Sequence, residues 1–453
     1  MRNAEWKKNN IFIVLCSLFI VTCSLFIASC TNPLMKWVLD PRTVTFVSNG
    51  GSSVVSQTVL KGSKITKPSD PVLRYHYFRG WFLDNGHFTE QWNFYEIPKE
   101  NLTLYAKWEF EDGDHNLDTD GSPDNPYKVY NQATLEKVGT ETGPGTWSLW
   151  AYYEQITNIY YDINESTTVS GEWEPIGRSD RSFTGTYEGN GYYIEGLRIS
   201  AAPSTNQYRG LFGYIANEGV VRNLGLENAG IMISNDSVVS FIGSLAGKID
   251  YNAEVYNCYV SESHIKCETD LNGLYIGGLV GSNDGSIKNC FVYEILVEGD
   301  QYVGGITGIN EGGTIENCYA TGAVIGNAYA GGISGQSQTS ISGCIALNYE
   351  IVIMGNDSEI GRITSNSIGD INDNFAYKNM ILGINKGTTY VTGSTTDING
   401  GDIILSEIKN DTVWKKAGFS FGNTIERPWI WKGSSMPSLK GFSTTFEWQD
   451  YLE

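Results

Sequence analysis

Cys258, Cys290, Cys318 and Cys344 each sit inside one recurring phrase: Asn257-Cys258-Tyr259, Asn289-Cys290-Phe291, Asn317-Cys318-Tyr319 and a worn copy, Gly343-Cys344-Ile345. Thiolates could bind zinc or pair as disulfides. Zinc, however, needs four ligands converging on a point, and the chain has neither a CxxC nor a paired histidine to help. Residues repeated at a fixed period near 30 stack in register and point in parallel. Such neighbours hold their β-carbons nearly a coil spacing apart, wider than a relaxed disulfide accepts. The four are therefore read as free buried thiols acting as small hydrophobes. The alternation past the Asn leaves one point open: either the cysteines or the rings Tyr259, Phe291 and Tyr319 face the core.

The elements that position this phrase are glycine knots upstream of it, such as Gly277-Gly278-Leu279-Val280-Gly281 and Gly304-Gly305-Ile306-Thr307-Gly308. Six copies align, ending at Gly213, Gly247, Gly281, Gly308, Gly335 and Ser365. A period near 30 predicts a solenoid of three-stranded coils with strands of about five residues, stacked about 4.8 Å apart. Its columns can be read off. Val221, Val255, Ile287, Ile315, Ile341 and Ile371 form core. Asn223, Asn257, Asn289, Asn317, Gly343 and Asp373 suit a left-handed corner. Phe241, Tyr275, Tyr302 and Tyr329 stand two residues before a glycine, each followed by an apolar residue. If that follower points inward, the rings point outward, either as an aromatic strip for a glycan or a host or neighbouring surface protein or simply as cover for glycine-exposed backbone. These four are the candidate ligand-binding residues.

Composition sets the class and address. The chain has 453 residues with 52 Gly, 27 Tyr and 18% charged residues, and few helix-forming runs, so an all-β protein is expected. Lys7-Lys8 precede an apolar run from Ile11 to Ala28, and Ile27-Ala28-Ser29-Cys30 closes it. That ending resembles a bacterial lipobox. The resemblance implies cleavage after residue 29, lipidation of Cys30, attachment to the membrane through this lipid and an extracytoplasmic location. The remaining chain carries 28 basic and 50 acidic side chains, a net charge of −22. Such a surface repels nucleic acid.

After a tether over 30–42 comes a compact module over 43–108. Val44-Thr45-Phe46 with Asn49-Gly50-Gly51, then Gly80-Trp81-Phe82, Trp92-Asn93-Phe94 and Leu104-Tyr105-Ala106-Lys107-Trp108 resemble the Listeria–Bacteroides (internalin B-repeat-like) module of bacterial surface proteins. The resemblance implies a small β-grasp-like fold with Trp81, Trp92 and Trp108 in its core. Residues 109–126 read as a polar linker. Its Asn116-x-Asp118-x-Asp120-Gly121 begins like a calcium loop, but Tyr127 stands where a bidentate Glu is needed. The large domain, 127–400, opens with a short helix expected near Gln132 to Val138 and holds the repeats at about 205–380. Its glycine knots and Asn-Cys-Tyr phrases resemble GLUG-motif proteins, which implies a right-handed parallel β-helix. Residues 401–453 are expected to cap it, so that its open edge does not invite aggregation.

That motif family also occurs upstream of the metallopeptidase in bacterial immunoglobulin A1 proteases, but this chain has no HExxH. No catalytic residue, metal site or cofactor is assigned. Asp284 and Asp300 fall in turns, and no column shows paired acids. The leading expectation is a surface-anchored, non-enzymatic adhesion or recognition protein. A carbohydrate-active β-helix lyase or glycosidase, drawing carboxylates from adjacent coils, is the alternative. A passive envelope stalk is the third.

Overall fold

The computed structural model describes residues 41–85, 87–111, 113–143, 145–161, 173–200, 207–234, 240–268, 273–355, 358–384, 387–422 and 427–452. The expected leader, Cys30 and most of the expected tether lie outside these residues. The chain divides into two units, Met1–Gly113 and Asp114–Glu453.

The first unit is a four-stranded mixed sheet. Pro41–Val47 runs parallel to Leu102–Phe110, and Gln57–Leu60 and His76–Phe82 flank this pair antiparallel. Alternation puts Val44, Phe46, Leu104 and Ala106 on one buried face with Trp81, while Trp92 and Trp108 pack partly buried against it. The Trp108 indole N–H donates to the Ser48 carbonyl at 2.8 Å, tying the last strand to the turn at Asn49 and Gly50.

The second unit is a parallel β-helix. One turn runs through four strands, for example Leu274–Gly277, Val280–Asn283, Ser286–Lys288 and Phe291–Glu298. The expected three strands per turn thus become four. The glycine knot is the reason: it folds what reads as one strand into two faces meeting at a sharp re-entrant corner. A β-carbon on Gly281 would run into the peptide between Phe241 and Ile242 on the opposite face. The third face counts nine strands, from Tyr127–Val129 to Ile371–Asn372. At about 4.8 Å per strand the shaft is roughly 40 Å long. Its first three rungs precede any glycine knot. Stacked and tilted aromatics fill them, among them Tyr127, Trp147, Tyr153 and Phe183, and Phe212 of the first knot packs on Phe183. The helix Gln132–Lys137 begins there under an Asn131 cap.

The 109–126 stretch is not a free linker. Its first two residues extend a strand of the small unit. From Asp114 it belongs to the shaft unit, where the Asn116 amide takes the Lys128 N–H at 2.7 Å and donates to the Lys128 carbonyl at 2.9 Å. Asp120, in the calcium-like stretch, accepts the Ser122 N–H, and hydrogen bonds from Ser122 hold its carboxyl below the usual range.

The C-terminal segment covers the shaft, but most of its cover is lateral. At the coil end, Gly401–Ile403 adds a last parallel rung to Phe375–Tyr377, and the Ile398 carbonyl accepts from Ile363 and Thr364. Beyond it, two short helices (Leu405–Ile408 and Asp411–Lys416) lead into a strap along the flank. The strap passes Gly343 at Ala417, reaches Gly191 at Gly441, and returns to Tyr377 at Tyr451.

Candidate functional site

The corner residues come first, because they set which side chains face out. Asn223, Asn257, Asn289 and Asn317 have φ of 51–54°, Asp373 has 55° and Gly343 has 63°. At this corner each coil places one left-handed residue, and it resets the alternation there. The cysteines consequently point inward. The Cys258 N–H meets the Cys290 sulfur at 3.5 Å, and the Cys290 N–H meets that of Cys318 at 3.4 Å. All four thiols are buried, and no disulfide joins them. Burial pushes Cys290, Cys318 and Cys344 far above the ordinary thiol range, the reverse of what metal binding or exchange chemistry needs.

Tyr259, Phe291 and Tyr319 then point outward, yet they are as buried as the cysteines. Their rings stack at 5.1 and 4.8 Å, and the strap covers their rims. This is why the sequence left their facing open: the signature of burial does not distinguish core from a strapped flank.

Phe241, Tyr275, Tyr302 and Tyr329 form a second ladder, with successive centroids 4.9, 4.9 and 4.8 Å apart and planes within 5–9°. Their followers Ile242, Ile276, Val303 and Ala330 are fully buried, so the rings face out, half-exposed. Tyr208 is a fifth rung, 5.2 Å from Phe241. It too stands two residues before a glycine, but Arg209 replaces the apolar follower and masks the match. Burial raises the phenol pKa of Tyr208, Tyr275 and Tyr302.

The re-entrant corner supplies a second wall. In register on the adjoining face stand Tyr214, Lys248, Ser282, Ile309 and Gln336. Tyr214 lies 5.0 Å from Tyr208, and the Lys248 ammonium sits 5.8 Å from the Phe241 ring centre. Ile249, Asn283 and Asn310 are also in register, so the residues that follow them, Asp250, Asp284 and Glu311, occupy equivalent positions on three coils. This corrects the expectation of no acid column. Unequal coil lengths, 34 then 27 residues, hid it. Asp250 accepts from the Tyr214 hydroxyl at 2.5 Å, and Asp284 pairs with Lys248 at 2.7 Å. Burial pulls the Lys248 ammonium down, but its Asp284 partner outweighs that and leaves it raised. The Ser282 hydroxyl is buried without a hydrogen-bond partner.

The structure thus brings all four candidate rings into one surface, while Cys30 lies outside the described residues. The face can bind, since it offers ring rims, hydroxyls and carboxylates. It offers little for stacking, because each interior ring has both faces against its neighbours.

Comparison with known proteins fits this architecture. Residues 43–107 match the Listeria-Bacteroides repeat domain, and residues 272–292 and 299–325 match the GLUG motif. Two similar proteins come from Evansella cellulosilytica. A "putative membrane protein" is 42% identical over 84 residues, 18% of this chain and 12% of that one. A "putative Gly-rich membrane protein" is 32% identical over 141 residues, 30% of this chain and 16% of that one. Halomucin of Haloquadratum walsbyi is 32% identical over 136 residues, 28% of this chain and 1% of its own length. The chain therefore spans under a fifth of each of these relatives. A crystal structure of a "putative immunoglobulin A1 protease" from Bacteroides ovatus superposes with a TM-score of 0.53 at 20% identity, over 71% of this chain and 94% of that one. At that identity the likeness is one of fold. The chain joins a Listeria–Bacteroides repeat domain to a GLUG-motif parallel β-helix.

Proposed function

We propose that this is a lipid-anchored cell-envelope protein that recognises a partner without catalysis, through the ladder Tyr208, Phe241, Tyr275, Tyr302 and Tyr329. One observation carries the reading. The chain builds two aromatic ladders on its shaft, spends its C-terminus covering one, and leaves the other half-exposed. Large aromatic strips on a surface are docking strips more often than scenery. Relatives named as membrane proteins support the envelope address, and the lipobox-like ending at Cys30 supports the anchor. The test displays the full chain on cells, then the Tyr302→Ala, Tyr329→Ala variant, and measures adhesion to host-cell, glycan and protein surfaces. Adhesion lost in the variant, at unchanged display, supports the reading. Adhesion equal in both, or absent from both, counts against it.

A second reading has its own observation. Asp250, Asp284 and Glu311 on successive coils beside Lys248 are the kind of carboxylate set a β-helical glycosidase or lyase uses. New reducing ends or unsaturated products from a polysaccharide panel, abolished by Asp284→Asn, would establish it.

A further inference from the structure

The open ladder's occupant can be read from the covered one. Both ladders are built alike, with rungs 4.8–5.2 Å apart and planes within 5–11°. In both, neighbours use up the ring faces, and only the electropositive rims remain for a ligand. On the covered flank those rims are met by aromatic rings turned nearly perpendicular. Phe442 meets Tyr259 at 4.8 Å and 81°, Phe446 meets Phe291 at 4.9 Å and 81°, and Trp414 meets Tyr319 at 5.3 Å and 83°. Ladder-side hydroxyls then hold the strap's backbone. The Tyr319 hydroxyl donates to the Pro437 carbonyl at 2.8 Å, and that of Tyr293 to the Glu447 carbonyl at 3.1 Å. The occupant of the covered ladder is thus a polypeptide, held by ring-on-rim contacts and by hydroxyls on its carbonyls.

The open ladder has the same fittings without the occupant. Among the described residues, the hydroxyls of Tyr275, Tyr302 and Tyr329 have no hydrogen-bond partner. Its surroundings add a charge preference. Asp250, Asp284 and Glu311 line one side and Lys248 answers Asp284. Beyond the ladder, Asp300 precedes Tyr302 by two residues and Glu359 pairs in register with Tyr329. Sugars are the weaker fit, because they bind proteins largely by stacking on ring faces, and here the interior faces are taken.

We infer that the Tyr208–Tyr329 ladder docks an extended segment of a partner protein that carries aromatic residues interspersed with Lys or Arg. The inference rests on the proposed recognition role and narrows its ligand from glycan or protein to a basic, aromatic polypeptide.

The test uses the full chain in detergent micelles and a displayed random dodecapeptide library, counter-selected on the Tyr302→Ala, Tyr329→Ala variant. Enriched peptides should combine Trp, Phe or Tyr with Lys or Arg. One resynthesised peptide should lose at least tenfold affinity on Glu311→Lys, which reverses the charge at an exposed site, and on Tyr302→Phe with Tyr329→Phe, which keeps the stack and removes the hydroxyls. No enrichment, an acidic consensus, or affinity unmoved by both variants overturns the inference. A glycan array is run on the same protein. Glycan binding that needs Tyr302 and Tyr329, without peptide enrichment, overturns this inference and leaves the recognition role standing. Neither ligand class needing the ladder overturns both.

Discussion

Phe446 sits across two rungs at once, 5.1 Å from the Tyr259 ring and 4.9 Å from Phe291, nearly perpendicular to each. One strap residue thereby ties together two coils that are 32 residues apart in sequence. The same ring packs on Tyr293 at 5.0 Å. Phe446→Ala should cost about 3–5 kcal/mol, as for other buried phenylalanines. It should also release the strap, so limited proteolysis should cut within 427–452 faster than in the parent. Unchanged denaturation and cutting would mean that the strap is held elsewhere.

The corner residues make a sharper comparison. Asn317 has φ of 53°, which costs an ordinary side chain about 1–2 kcal/mol. Asn317→Ala should lower the denaturation midpoint, whereas Asn317→Gly should leave it nearly unchanged. Gly343 is a stricter case, since a β-carbon there would run into the Ala417 carbonyl of the strap. Gly343→Asn, although it restores the repeat's own residue, should destabilise more than Asn317→Ala.

The thiol column should be chemically silent. Cys258, Cys290, Cys318 and Cys344 are fully buried, without disulfides. Peptide mapping after alkylation should find these four unmodified in the native protein and fully modified after unfolding. Labelling of Cys290 in the native state would place the column on the surface instead.

Glu227 links acidity to strap attachment. Its carboxylate accepts the Tyr259 hydroxyl and the Thr444 hydroxyl of the strap. Burial raises its pKa above the ordinary 4.5, and the two hydroxyls offset only part of that. A raised folded-state pKa means that the folded protein holds the proton more tightly than the unfolded chain. Its stabilising contribution is full below pH 4.5 and is lost as pH rises through the raised value. Urea unfolding from pH 4 to 8 should show Glu227→Gln gaining on the parent as pH rises. A constant gap would sink this account.

Much of this protein is written in its sequence. The glycine knots, the Asn corners and the apolar column each repeat at nearly fixed spacing, because every coil must meet the same steric demands as its neighbours. The outward ladder followed from Phe241, Tyr275, Tyr302 and Tyr329 through simple alternation, and the module over 43–108 from its tryptophan and glycine phrases. Tertiary structure alone decided three things. Asp250, Asp284 and Glu311 share a column only through strand register, since loops of unequal length carry no register information. The strap covers the flank rings Tyr259, Phe291 and Tyr319, and Trp429 or Phe446 cannot announce in sequence which surface they will meet. Last, Tyr259 and Tyr302 are both outward aromatic rungs. What separates a closed face from an open one is the return of a chain segment more than a hundred residues away.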